Sequence, residues 1–231
     1  MSDASVPQQG TDAAALPTGG LLGLLLKPTL TRQCWGFMIG SLLFALSSAP
    51  GLSDWLGSGT GNVLCFIGAW GFTYAGFIQW ITSGPRLVSK GDAMLISAVW
   101  LAAATQSVGT VLFNVSTSAA LTAKSVAAQE QLVWNPDAAG SVAFLISGAL
   151  AIRGYRHRYR AWNPGSRDWW STQINMVGCI AFGVSAVGAY ILSDGSSYDP
   201  WLANAGTFVG AVCFFLASLI VLPSLRPSSE G

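Results

Sequence analysis

Three amides, Gln106, Gln173 and Asn175, fall inside long apolar stretches of the chain. An amide at such depth either ties helices together by hydrogen bonds or lines a polar path for a small molecule. Gln106 and Asn175 each stand three residues before a glycine, Gly109 and Gly178, so they hold equivalent places. Interhelical hydrogen bonding is the first expectation and a polar lining the second. Gln79, Thr105 and Asn114 are the other neutral polar groups at depth.

The densest charge is a cluster of Arg153, Arg156, Arg158 and Arg160, interleaved with Tyr155, His157 and Tyr159 and followed by Trp162. Basic residues beside a membrane span attract anionic headgroups at about 1 kcal/mol each, and aromatic rings favour the interface. The cluster is expected to anchor the chain, with contact to anionic lipids or to a membrane-protein partner as its further use. Nucleic acid is excluded as a partner, because this is one short segment on a chain of formal net charge +1.

Catalytic apparatus is missing. His157 is the sole histidine, and no Ser/His/Asp set, HExxH or phosphate loop occurs. No enzyme activity is expected, and no catalytic residue is assigned. The four cysteines, Cys34, Cys65, Cys179 and Cys213, form no CxxC pair and read as reduced packing residues. No metal and no cofactor is expected.

Composition determines what must position these groups. Apolar residues make up 52% of the chain and charged residues 9%, against roughly 25% charged in soluble domains. So few ionic groups cannot cover a water-facing surface, so lipid must be the solvent for much of the chain. Six windows approach the roughly 20 apolar residues a spanning helix needs: about 31–50, 60–82, 92–115, 136–154, 169–192 and 201–223. The fourth is the shortest, bracketed by Asp137 and Arg153. Residues 1–29 are expected to form a polar, Pro/Gly-rich tail ending in an interfacial run, and 226–231 a short second tail. No acid or base lies near the middle of a window. This argues against an ion-driven pump and leaves a passive route open.

Charge sets the expected orientation. Lys27, Arg32, Arg86, Lys90, Arg153, Arg156, Arg158, Arg160, Arg167 and Arg226 fall on one side, and Lys124 alone on the other. Basic residues near span ends stay cytoplasmic, which puts both termini inside. The few lysines and the lack of a signal-peptide pattern in the first 20 residues fit a bacterial inner membrane. The outer tips then hold Asp54, Glu130, Asp137, Asp194 and Asp199. The longest outer connection, 116–135, is expected to carry a short surface helix with Leu121, Ala128 and Leu132 on one face.

Each window also carries a glycine followed four residues later by phenylalanine. The pairs are Gly40/Phe44, Gly68/Phe72, Gly109/Phe113, Gly140/Phe144, Gly178/Phe182 and Gly210/Phe214. Gly40, Gly109 and Gly178 are 69 residues apart, and Gly68, Gly140 and Gly210 are spaced 72 and 70. The pattern reads as one helical hairpin written three times, over about 30–86, 92–156 and 168–225. Residues four apart share a helix face. In lipid, helices associate by close packing over small residues, so each glycine is a notch and each phenylalanine a filler for a notch on another span.

The run Ile39-Gly40-Ser41-Leu42-Leu43-Phe44, the short loop with Trp55 and the second Gly/Phe helix together resemble the YrhK-like membrane proteins. So do Ser83-Gly84-Pro85-Arg86 and the closing run Ala205-Gly206-Thr207 with Phe214 and Leu222-Pro223. The middle hairpin departs, with Gly109-Thr110 in place of Gly-Ser and a longer outer loop. The resemblance implies a hairpin architecture and supplies no active residues.

The expected protein is therefore all-α and polytopic, with six transmembrane helices in three tandem hairpins. Its leading expected function is a non-enzymatic structural or protein-interaction component of the membrane. The alternative is a passive small-molecule or lipid transporter or channel. A cavity lined by Gln106, Gln173 or Asn175 favours the second, and a dry phenylalanine-packed centre with an exposed groove favours the first.

Overall fold

The computed structural model describes residues 28–90 and 93–223. The expected N-terminal tail, apart from Pro28 and Thr29, and the tail at 226–231 lie outside the described residues. Helix starts follow from side-chain caps. Thr29 accepts from the Arg32 N–H to open α1 (Leu30–Ser48). Ser97 and Ser166 accept from the N–H groups of Trp100 and Trp169 to open α3 (Ala98–Ala120) and α5 (Arg167–Gly188). Asp199 accepts from the Leu202 N–H, with Pro200 preset at the first position of α6 (Pro200–Val221). Helix α2 (Leu52–Thr82) bends at Gly57, whose φ of 74° only glycine adopts readily.

The fourth helix, α4 (Val126–Arg158), is a correction to the expectation. It is among the longest, because helix begins at Val126, eleven residues before Asp137, rather than beside it. Most of the expected 116–135 loop is helical, since α3 runs on to Ala120 and α4 starts at Val126. Its first turns include a π-helical segment, Gln129–Trp134, which shifts the faces on either side of it. The chain is also not purely helical between α2 and α3. An antiparallel pair, β1 (Leu87–Lys90) and β2 (Ala93–Ile96), delays the third helix beyond its expected start.

Five helices, α2 to α6, are long and apolar enough to cross a membrane. Helix α1 is not among them, because Thr31, Arg32 and Gln33 dilute its first turn. Every helix packs on the next, and α6 packs on α1, so the six close into a ring. Contact is most extensive within α1/α2, α3/α4 and α5/α6. Large apolar side chains such as Ile39, Ile67, Val108, Ile146, Ile180 and Leu216 are exposed on the outer faces. Serines, threonines and glycines are buried instead. An apolar exterior over a small-residue and polar interior suits lipid as the outer solvent.

The ring is filled by six phenylalanines, Phe44, Phe72, Phe113, Phe144, Phe182 and Phe214, each 1–3% exposed. Within the three helix pairs the ring centroids lie 5.2 Å (Phe44–Phe72), 5.0 Å (Phe113–Phe144) and 5.2 Å (Phe182–Phe214) apart. Contacts between pairs span 5.5 to 6.3 Å, mostly edge to face, as aromatic quadrupoles prefer.

Each of these rings lies against a glycine of the paired helix. Gly40 faces Phe72 while Gly68 faces Phe44; Gly109 faces Phe144 while Gly140 faces Phe113; Gly178 faces Phe214 while Gly210 faces Phe182. Small residues further along join neighbouring pairs: Gly76 lies against Thr110 of α3 and Gly148 against Met176 of α5.

Candidate functional site

Two cavities approach the phenylalanine layer from opposite ends of the ring. The first, of about 140 Å³, lies at the end where α1, α3 and α5 begin, and is lined by Gln33, Gln79, Gln106, Ser171, Thr172 and Asn175. Its apolar floor includes Phe37 and Phe214. This is the basic end, because Arg32, Arg86, Arg167 and the Arg153–Arg160 cluster lie at the same helix termini. No charged side chain lines this cavity among the described residues.

Gln106 is 3% exposed, and its Oε1 has no hydrogen-bond partner; the Oε1 of Gln79 is likewise buried and unpartnered. A buried acceptor left unmade costs roughly 1–3 kcal/mol. Both glutamines line a cavity far larger than the roughly 10–15 Å³ a water needs, so it has room for a polar occupant. Asn175 donates toward Cys179 Sγ at 3.7 Å. Gln173 is partly buried and belongs to neither cavity lining.

The second cavity, of about 220 Å³, opens at the tip end. Phe44, Phe113 and Phe182 contribute to its lining, with Trp134, Asn62, Asn204, Ser185, Thr207 and Asp137 around them. An open groove carrying Asp54 and Ser58 adjoins it and shares Asn62, Cys65, Asn204 and Thr207. Trp134 is fixed by donating Nε1–H to the Ala186 carbonyl at 2.8 Å and by meeting Tyr190 edge to face at 4.9 Å. Ser185 donates to the Ala203 carbonyl at 2.7 Å, and its hydroxyl pairs with that of Thr207 at 2.7 Å.

Other polar groups serve the frame. Ser147 donates to the Ala102 carbonyl and Ser171 to the Ala217 carbonyl, both at 2.8 Å, tying α4 to α3 and α5 to α6. Asn114 is buried and donates to the Ala69 carbonyl and to Thr73. All four cysteines are unbridged. In the basic cluster, Arg153, Arg156 and His157 border an open groove with Ala149 and Ile152, while Arg158 and Arg160 are exposed at and beyond the end of α4.

Reading the sequence as amides in apolar stretches reached Gln106 and Asn175. Asp137, in sequence both the boundary of a span and an outer-tip acid, lines the second cavity, and Gln33 and Ser171, which no sequence feature marked, line the first. Asn62 and Asn204 carried a usable signal, both lying six residues before the glycine of a Gly-x3-Phe pair.

The fold and the site define the class: a helical protein with five apolar helices, compatible with a multi-pass membrane protein, whose helix ring holds a cavity at each end. No family model, curated protein or solved structure matches the chain, and the YrhK-like resemblance rests on its residues alone.

Proposed function

We propose that the chain is a passive conduit for small polar solutes, built from three tandem hairpins and closed at its waist by the phenylalanine layer. The observation that carries this reading is the placement of two cavities, the basic-end one lined by amides and hydroxyls and the tip-end one mainly apolar with a few polar groups, against opposite faces of that layer within one closed helix ring. Hydrophobic constrictions close pores by excluding water, and six mutually packed phenyl rings make such a constriction. The unpartnered oxygens of Gln79 and Gln106 suit a solute that donates hydrogen bonds.

In this reading α1 is the sixth span, with Arg32 at the membrane surface and the rest of the helix in lipid. The basic end faces the cytoplasm of a bacterial cell, both termini lie there, and anionic lipids contact the Arg153–Arg160 segment. The hairpin unit is the one the YrhK-like resemblance implies.

The second reading, a non-enzymatic structural or interaction component, draws support from the unbroken contact of the six rings. Flux separates the two. Purified protein in liposomes is challenged with a urea or glycerol gradient, and shrinkage is followed by light scattering. The conduit reading expects faster solute uptake than in empty liposomes, and faster still for Phe182→Leu, which thins the layer while keeping it apolar. Rates equal to empty liposomes for both forms would leave the structural reading standing alone.

A further inference from the structure

We propose that the tip-end cavity is a binding site for a small organic ammonium ion, with Asp137 as its counter-charge. This deepens the conduit reading and rests on it.

Among the described residues, Asp137 is the only charged one lining that cavity. It is partly buried, and its carboxylate makes no hydrogen bond or ion pair among the described residues. A carboxylate withdrawn from bulk water without a partner is costly, and a cation entering the cavity offsets that cost. The walls narrow the choice of cation. They are mainly apolar and include four aromatic residues, Phe44, Phe113, Phe182 and Trp134.

Apolar walls beside one carboxylate suit an ammonium carrying methyl or methylene groups, whose charge offsets that of the carboxylate and whose carbons fill apolar space. A compact metal ion would need several oxygen ligands, and among the described residues no cluster of three or more His, Cys, Asp or Glu exists.

Two further observations point the same way. The π-helical segment Gln129–Trp134 interrupts the α-helical register just before Asp137, and Val133, Trp134 and Asp137 line the cavity together. The adjoining groove carries Asp54, and the tip end also holds Glu130, Asp194 and Asp199 against a single lysine, Lys124. An excess of one sign around a cleft concentrates counter-ions at its mouth.

The test is calorimetric titration of the full-length protein in detergent with tetramethylammonium chloride, and with tert-butanol as a neutral probe of similar shape. Saturable binding of tetramethylammonium is expected and none of tert-butanol. Asp137→Asn should weaken binding by about tenfold or more, because the neutral amide removes the ion–ion attraction, while Asp137→Glu should retain it.

Absence of saturable binding to the unaltered protein, equal binding by Asp137→Asn, or equal binding of tert-butanol would overturn the assignment. Solute flux retained without ammonium binding would remove this ligand and leave the conduit. Binding retained without flux would support the site and remove the conduit.

Discussion

Gly109 and Phe144 meet so closely that a Cβ on the glycine would lie 2.6 Å from Cδ1 of the ring. The Gly140 carbonyl oxygen would be 3.1 Å from the same atom. The glycine is a cavity shaped for that ring, and α3 and α4 approach through it. Gly109→Leu should therefore destabilise the protein far more than Leu101→Ala on the same helix. Overpacking a well-filled interior costs about 1–3 kcal/mol or more, whereas Leu101 is only partly buried. Thermal unfolding in detergent compares the two, and equal midpoints would remove the packing role.

Gln106 separates site from scaffold. Its side-chain oxygen is buried without a partner, so Gln106→Leu removes an unmet acceptor and should leave stability unchanged or slightly raised. Solute uptake by liposomes carrying this variant should fall, because the basic-end cavity loses a polar contact. A marked drop in unfolding temperature with unchanged uptake would show that Gln106 is structural.

The arginine cluster should act through lipid. Neutralising Arg156, Arg158 and Arg160 together should lower retention on anionic liposomes and leave the unfolding midpoint in place, since all three are exposed. Unchanged retention would remove the lipid contact.

The tip connection between α5 and α6 should loosen in acid. Asp194 accepts from the Ser196 hydroxyl at 2.7 Å and from its N–H at 2.9 Å, and these bonds hold its carboxyl below the usual carboxylate range. A depressed value means the stabilisation is present above the ordinary carboxylate pKa and is lost as pH falls through the lowered one. Amide exchange at Ser196 should accelerate in that acid window, after allowance for the intrinsic pH dependence. Asp194→Asn should abolish the extra acceleration.

Helices α5 and α6 and the end of α2 were legible from apolar length together with breakers such as Gly84-Pro85 and caps such as Asp199-Pro200. Their residues are consecutive, and their signals are local. The start of α2 was not legible, since residues 52–59 lie ahead of the expected window and read as a glycine- and serine-rich tip. The Gly-x3-Phe spacing likewise showed which side chains share a face. The length of α4 was not legible, because Gln129, Glu130 and Gln131 look like loop until the π-helical segment packs against α3.

The sequence by itself determined an apolar, helix-dominated chain with a glycine and a phenylalanine on one face of each long helix, because period and composition are properties of neighbouring residues. Only the tertiary structure decided that Gly109 receives Phe144, that the six rings meet at the centre, and that Asp137 shares a cavity with Phe44, Phe113 and Phe182. Those outcomes depend on which helices close the ring and how each is rotated, and both are set by packing between residues far apart in the chain.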